Sequence, residues 1–184
     1  MKKRIKILLG LGFPILGAVL WFYFKSPAVT TAVLASALRQ STPLILGALC
    51  GLMGERSGVM NIGIEGQMLF GAFIGFMVNV ATGNLLVAVW GGIMAGAVLG
   101  LLLAFMSVNL KIDQIIAGIV INILALGLTG YFYRVGLSTK GKLQALPLGA
   151  LADIPLIGPV LFRNPPITYC TILIVIAVHL VLFY

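Results

Sequence analysis

The sequence predicts an all-α membrane protein, a polytopic transmembrane helical bundle with about six spans, one or more of them discontinuous. Hydrophobic residues make up 61% of the 184 residues and charged residues only 9%, whereas about a quarter of the residues of a soluble domain are charged. Apolar runs of about 18 residues or more, long enough to cross the hydrocarbon core as a helix, recur along the chain. Lipid is therefore the expected surrounding of most side chains, and one transmembrane domain is predicted over 1–184.

The first apolar run follows a strongly basic N-terminus. Four Lys or Arg residues lie within 1–6, and because basic residues collect on the cytoplasmic side, they predict a cytoplasmic N-terminus. A cleaved signal peptide is the alternative, since a basic head, an apolar segment and the small residues 35–37 are its usual parts. The aromatic residues 21–24 at the far end of the run favour a span, because they are typical of the membrane interface. The predicted spans lie near 7–24, 28–54, 62–81, 85–108, 115–133 and 167–184.

The next four runs differ in how they are interrupted. Arg39 and Pro43 interrupt the run 28–54, which is therefore either one long kinked helix or an interfacial piece followed by a half-span. Only the short polar turn 82–84 separates the third run from the fourth, which predicts two antiparallel helices joined tightly. Asp113 precedes the fifth run and is placed to accept hydrogen bonds from the free N–H groups of its first turn.

The stretch 134–166 breaks the apolar pattern with five prolines and four basic residues, which predicts an extracytoplasmic loop. With all six runs spanning and the N-terminus inside, 55–61 and 109–114 face the cytoplasm. The sixth run, 167–184, reaches the last residue without the polar flank that normally follows a span. We therefore expect the chain to be C-terminally truncated.

The net charge of +8 does not indicate a nucleic-acid partner. The basic residues lie between apolar runs, as they do in cytoplasmic loops of membrane proteins, and no basic stretch alternates with exposed aromatics as in a strand-binding groove. Cys50 and Cys170 lie inside apolar runs, so neither a disulfide framework nor a metal site is predicted.

No catalytic pattern is found in the sequence: there is no nucleophile elbow, no zinc-protease motif and no phosphate-binding loop. The segment Ser138-TKGK lacks the glycine spacing of such a loop. We therefore expect neither catalytic residues nor a cofactor in this chain. If ATP powers its activity, a partner subunit must use it.

Glycines recur at helical spacing in the apolar runs. Because no hydrophobic force drives helices together in lipid, such rows mark faces where backbones approach closely and gain dispersion contacts. The predicted helix-packing residues are Gly47, Gly51, Gly71, Gly75, Gly92, Gly96 and Gly100.

Polar side chains and glycines coincide between the second and third runs, where Asn61, Glu65 and Gln67 occur. Asn61 and Glu65 are four residues apart and are predicted to share a helix face. A carboxylate at the bilayer centre costs about 3 kcal/mol on insertion scales, so it usually faces a cavity or a partner. Glu65 is therefore the leading candidate for contact with a solute. The alternative is that it pairs with Arg39 or Arg56, or lies at the headgroup level.

Two further polar residues lie inside apolar runs. Asn122, in the middle of the fifth run, could either bridge helices or reach a solute, and bridging is slightly favoured. His179 lies alone in the last run and is interpreted as a packed or interfacial residue.

The stretch Thr42-PLILGALCGLMGERSGVMNIGIEGQMLFGAF-Ile74 resembles the signature region of ABC importer permeases of the nucleoside and simple-sugar branch. The wider family is that of the branched-chain amino acid and ribose type permeases. Lys111-IDQIIAGIVINILALGLTGYFY-Arg134 and Ala152-DIPLIGPVLF-Arg163 agree with it in type and order. The resemblance covers roughly 27–184.

The resemblance implies a plasma-membrane permease subunit that pairs with a second permease subunit, docks a cytoplasmic ATPase subunit and receives solute from an extracytoplasmic substrate-binding lipoprotein. It also implies that the matching segment around 61–67 lies near the translocation path. A nucleoside would offer ribose hydroxyls to those polar side chains, and its base could stack on Phe70 or Phe73. The predicted path residues are Asn61, Glu65, Gln67, Phe70 and Asn122.

Family members continue with further spans and a cytoplasmic coupling helix, and nothing in this sequence matches that helix. Two alternatives to the importer stay open. One is an ion-coupled secondary carrier with Glu65 and His179 as coupling groups, and the other is a non-functional truncated permease fragment.

Overall fold

The computed structural model describes residues 14, 17–133, 141, 143–147 and 149–183. The chain divides into two compact units. The smaller contains Met1–Thr42 and Gln144–Ile174, and the larger contains Pro43–Leu143 and Val175–Tyr184. Much of the first predicted span, 7–24, lies outside the described residues, and its described part includes the helical stretch α1, 17–25.

The described elements are almost all helical, which confirms the predicted fold class. Four helices are long and apolar enough to cross a membrane within the described ranges, and the further apolar helix Pro166–Leu182 is shorter. The number of spans stays a prediction. The four candidate spans contain α2 (Pro27–Arg56), α3 (Ile64–Thr82), α4 (Leu85–Ala104) and α5 (Gln114–Tyr133), and the shorter apolar helix is α7 (Pro166–Phe183).

Helix α2 covers the whole of the predicted second run. It is one helix of 30 residues with Pro43 inside it, so 28–54 is not divided into an interfacial piece and a half-span. The hydroxyls of Ser41 and Thr42 both donate to the carbonyl of Leu38, at 2.8 and 3.1 Å. Proline is tolerated in such helices because neighbouring groups and local adjustments satisfy the backbone around it.

The turn between α3 and α4 confirms the predicted tight antiparallel pair. Gly83 has a φ of 68°, a left-handed conformation that glycine adopts without steric cost, and its N–H donates to the carbonyl of Asn79. The side chain of Asn84 then accepts from the N–H groups of Leu86 and Val87, at 2.9 and 3.4 Å. Both helix ends are thus capped within two residues.

The connection from α4 to α5 contains a wider turn that the sequence did not predict. Phe105–Asn109 form a π-helical turn, and the N–H of Leu110 donates to the carbonyl of Phe105 at 3.2 Å. The Asp113 carboxylate then accepts from the N–H groups of Ile115 and Ile116, at 2.8 and 3.3 Å. The predicted N-cap of α5 is confirmed.

The core of the larger unit is small. Its buried cluster consists of Leu99, Leu103, Ala117 and Ile121, with Phe70 packed against it. Most other large apolar side chains face outward, and Trp90, for example, is 66% exposed. Such a surface suits lipid or further protein rather than water.

In the smaller unit, the segment 146–164, which precedes α7, contains short strands and helical turns where it is described. The strands β1 (Leu146–Pro147) and β2 (Arg163–Asn164) pair antiparallel. Between them lie a 3₁₀ turn, Gly149–Asp153, and the short helix α6, Ile157–Leu161. The predicted loop 134–166 therefore contains short regular elements where it is described.

Tyr169, in the first turn of α7, ties this folded loop to the helix. Its hydroxyl accepts from the backbone N–H of the fully buried Asn164 at 3.0 Å and donates to the carbonyl of Leu146 at 3.2 Å. The side-chain amide of Asn164 donates to the carbonyl of Val160 at 2.7 Å.

Replacing Tyr169 by phenylalanine is therefore expected to lower the free energy of unfolding by about 1 to 2 kcal/mol, since the buried N–H of Asn164 loses its partner. Thermal unfolding of the detergent-solubilised protein measures the change. Tyr131→Phe is the matched control, because Tyr131 is 73% exposed. Equal effects of the two substitutions would contradict the role assigned to Tyr169.

Candidate functional site

The polar residues singled out by the sequence lie at the break between α2 and α3, in the larger unit. Helix α2 ends at Arg56, two residues before Gly58, whose φ of 81° turns the chain away from the helix. The N–H of Val59 bonds back to the carbonyl of Gly54 at 3.0 Å. Residues 57–63 are not helical, and α3 begins at Ile64. The glycine-rich segment therefore separates two helices rather than loosening one.

Asn61 and Glu65 do not share a helix face, and this prediction was wrong. Asn61 precedes α3, where a helical period does not apply, whereas Glu65 lies in the first turn of the helix. Asn61 instead pairs with Gln67 through both side-chain amides. Asn61 Nδ2 donates to Gln67 Oε1 at 3.0 Å, and Gln67 Nε2 donates to Asn61 Oδ1 at 3.4 Å. Gln67 is buried and Asn61 is half-buried.

The Glu65 side chain is exposed at the start of α3. No hydrogen bond or ion pair joins it to the described residues of its own unit. The partial positive charge of a helix N-terminus stabilises a carboxylate in the first turn. Glu65 thus has an electrostatically favourable position with an exposed carboxylate.

Asn122 bridges α5 to the start of α3, as the sequence slightly favoured. Its Oδ1 accepts from the backbone N–H of Gly66 at 2.7 Å, and its Nδ2 donates to the carbonyl of Ile62 at 3.1 Å. Gln114, one residue after the Asp113 cap, makes an analogous pair of bonds. Its Oε1 accepts from the N–H of Met60 at 2.6 Å, and its Nε2 donates to the carbonyl of Gly58 at 3.4 Å.

Glycines allow α5 to approach the break this closely. A Cβ added to Gly66 would lie 2.7 Å from Oδ1 and 2.8 Å from Cα of Asn122, and one added to Gly118 would lie 2.8 Å from the backbone N of Gly63. These distances are far below van der Waals contact. Side chains are therefore excluded at both positions in this packing.

Sequence reasoning missed Gln114 and Gly118. A signal was present, since Gln114, Gly118 and Asn122 follow one another at intervals of four and so lie along one side of a helix. A row of amide, glycine and amide in an otherwise apolar helix indicates a face that contacts another backbone.

The glycines that the sequence predicted to pack helices differ in their surroundings. Added Cβ atoms at Gly71 and Gly75 would lie 3.0 Å from the carbonyl oxygen of Gly92 and 3.1 Å from that of Ala88. At Gly47, Gly51 and Gly96 the nearest atoms would be at 3.1, 3.3 and 4.0 Å. Gly100 has nothing within 4 Å.

The aromatic side chains Phe70 and Phe73 of α3 pack away from the polar residues of the break. Phe70 packs into the core cluster, while Phe73 lies against Phe132 with ring centroids 6.1 Å apart. Phe73 also lines an open cavity of about 510 Å³ between α3 and α5 whose walls are almost entirely apolar. None of the polar residues of the break lines it, and the hydroxyls in its lining belong to Thr129 and Tyr133. Within the described ranges, no three His, Cys, Asp or Glu side chains are grouped to hold a metal.

Arg56 and Gln114 bring several chain segments to one end of the larger unit. Arg56 Nη2 donates to the carbonyl of Leu182, in the last turn of α7, at 2.6 Å. The bonds of Gln114 join the start of α5 to Met60 at the same break. The C-terminal ends of α2 and α7 and the N-terminal ends of α3 and α5 therefore lie together.

The chain is similar to permease proteins of ABC transporters. The family described as "Branched-chain amino acid transport system / permease component" matches residues 33–184. A putative glucose ABC transporter permease protein of Haloferax volcanii, TsgC13, is 36% identical over 156 residues, which cover 82% of this chain and 47% of that protein. No solved structure matches the chain significantly.

Two relatives carry nucleoside names. The guanosine ABC transporter permease protein NupQ of Bacillus subtilis is 32% identical, over 85% of this chain and 52% of its own length. The nucleoside ABC transporter permease protein NupC of Lactococcus lactis is also 32% identical, over 82% and 51%. The chain thus spans about half the length of the relatives it matches.

Proposed function

Because the chain belongs to the family of branched-chain amino acid transport system permease components, we propose that it is a permease subunit of an ATP-binding cassette importer for nucleosides or simple sugars. The names of the similar proteins support this substrate range, since they include glucose, guanosine and nucleosides. The family consists of permease components and not of enzymes, and the chain is a multi-pass membrane protein.

One structural observation carries the proposal: a polar, non-helical segment interrupts apolar helices that are long enough to cross a membrane. In a bilayer, non-helical backbone is tolerated only where it is buried in protein or lines a hydrated cavity. Discontinuous helices form solute sites in many transporters for this reason. The non-helical residues 57–63 and the first turn of α3 as far as Gln67 are therefore the proposed wall of the translocation path, at its cytoplasmic end in the orientation proposed below.

Within this segment, Glu65 is the proposed principal contact with the solute. Its exposed carboxylate can accept hydrogen bonds from ribose or sugar hydroxyls. Asn61 and Gln67, close to it in sequence, are proposed to add amide donors and acceptors, although each is already bonded to the other. Phe70 and Asn122 are also proposed path residues. Phe70 packs against the core cluster, and Asn122 acts through its bonds to the backbone.

The proposed importer contains an ATPase subunit, a second permease subunit and an extracytoplasmic substrate-binding lipoprotein, all assembled in the plasma membrane. ATP is used by the ATPase subunit, and no cofactor is held by this chain. The permease family of the chain and the ABC transporter names of its relatives support this assembly.

The proposed orientation has a cytoplasmic N-terminus. The basic residues within 1–6 favour it. The contacts of Gln114 join the break after Arg56 to the start of α5. If α3 and α4 both cross the membrane, these two regions lie on the same side, which is the cytoplasmic side in the proposed orientation.

Replacing Glu65 by glutamine is expected to lower uptake about fivefold to tenfold, because a charged acceptor forms stronger hydrogen bonds with hydroxyls than an amide does. Uptake of labelled guanosine and glucose is measured in cells that carry the complete transport system, with unlabelled nucleosides and sugars as competitors. The competitor that abolishes uptake identifies the substrate class.

Glu55→Gln is the matched control, since Glu55 is an exposed carboxylate at the end of α2. It is expected to leave uptake nearly unchanged. Unchanged uptake in Glu65→Gln, at equal amounts of permease in the membrane, would remove Glu65 from the path.

A further inference from the structure

Two carboxamides of α5 hold the break between α2 and α3 in the same way. Gln114 bonds the carbonyl of Gly58 and the N–H of Met60, and Asn122 bonds the carbonyl of Ile62 and the N–H of Gly66. Each amide therefore accepts from one backbone N–H and donates to one backbone carbonyl. Together they contact the segment 58–66 at both of its ends.

This arrangement solves a problem that the break creates. Backbone groups outside a helix, and the first N–H groups of a helix, lack helical hydrogen-bond partners, and water is not available to all of them in a membrane protein. A carboxamide carries the same donor and acceptor as a peptide group, so it can replace a missing backbone neighbour. The close contacts of Gly66 and Gly118 bring the backbone of the segment directly against α5, within reach of these bonds.

We infer that Gln114 and Asn122 are positioning residues of the translocation path: they fix segment 58–66 on α5, so that the segment and the helix move as one body during transport. The inference rests on the proposed function, because it concerns the wall that carries Asn61, Glu65 and Gln67. The two amides act through the backbone of the segment.

A positioning role differs from a merely stabilising one in what it changes. Loss of fold stability lowers the amount of active permease and therefore the maximal rate per cell. Displacement of the polar side chains weakens binding of the solute and raises KM, while the maximal rate per permease copy changes less.

Thr129 offers a matched control on the same helix. It is buried, and among the described residues its hydroxyl bonds only within α5, to the carbonyls of Ala125 and Leu126 at 2.8 and 3.3 Å. Thr129→Ala thus removes a buried polar group from α5 without touching the segment. Asn122→Asp is a graded variant, because it keeps the acceptor for the N–H of Gly66 and loses the donor to Ile62.

The first measurement is the KM and maximal rate of uptake in cells with the complete transport system, with permease copies quantified. Gln114→Leu and Asn122→Leu are each expected to raise KM by about fivefold or more, with an intermediate rise for Asn122→Asp and none for Thr129→Ala. A KM that stays at the wild-type value in both leucine variants, or one that rises equally in Thr129→Ala, overturns the inference.

The second measurement does not depend on transport. Hydrogen exchange of the purified permease reports on the backbone N–H groups of Met60 and Gly66, which should exchange faster in Gln114→Leu and Asn122→Leu respectively, and at the wild-type rate in Thr129→Ala. If the wild-type system takes up neither nucleosides nor sugars, the proposed function fails while hydrogen exchange still decides whether the amides hold the segment. Unchanged exchange in both leucine variants overturns the inference.

Discussion

Replacing Gly66 by alanine is expected to separate α3 from α5 and to lower the free energy of unfolding by about 3 kcal/mol, through overpacking together with a lost buried hydrogen bond. The added methyl group would lie 2.7 Å from Oδ1 of Asn122 and 2.9 Å from the backbone carbonyl oxygen of Ile121. The second contact is with backbone, which cannot rotate away as a side chain can. The bond between the N–H of Gly66 and Asn122 would therefore break as the helices move apart.

Thermal unfolding in detergent and uptake by cells both test this result. Gly100→Ala is the matched control, because Gly100 lies within a helix and an added Cβ there has nothing within 4 Å. This control should be neutral or slightly stabilising, since alanine favours helices over glycine by about 1 kcal/mol. If the Gly66 and Gly100 variants unfold at the same temperature, the close contact with α5 is not present in the protein.

Replacing Gly92 by valine is expected to lower the free energy of unfolding by about 2 to 3 kcal/mol, because the larger side chain would overpack the contact between α3 and α4. An added Cβ at Gly92 would lie 2.9 Å from the carbonyl oxygen of Gly71, and one at Gly71 would lie 3.0 Å from that of Gly92. The two backbones thus touch at this point. Helix association in lipid depends on such close packing, since the surrounding acyl chains are as apolar as the side chains.

Disulfide formation between cysteines placed on facing positions of α3 and α4 measures the separation of these helices. Gly127→Val is the matched control, because Gly127 lies in α5 and an added Cβ there has nothing within 4 Å. Efficient cross-linking in the Gly92 variant would show that the helix pair tolerates the larger side chain and would contradict the contact.

The limits of the long helices followed closely from the sequence. The run 115–133 corresponds to Gln114–Tyr133, and the run 62–81 to Ile64–Thr82. The hydrocarbon core imposes a length and an apolar composition on each span, and both can be recognised from a short stretch of sequence. The cap formed by Asp113 was predictable for the same reason, because its partners lie two and three residues away.

The arrangement of the candidate site could be predicted only in part. Asn61 was assigned to the helix face of Glu65 because the two residues are four positions apart in the sequence, about one helical turn. The chain, however, is not helical before Ile64. Its partner Gln67 and the bonds of Asn122 to Ile62 depend on how separate segments pack, and no local pattern specifies such contacts. The role of Gln114 depends in addition on a backbone that is 54 residues away in the chain.

The turn of Gly83 and Asn84 has a consequence for biosynthesis. Because so few residues join α3 to α4, neither helix can settle in the bilayer far from the other, and the pair is expected to leave the translocon as a hairpin. The buried side chain of Asn79, near the end of α3, would then enter the lipid phase together with α4. A longer linker at this turn would let the two helices enter separately and is expected to reduce the yield of correctly integrated protein.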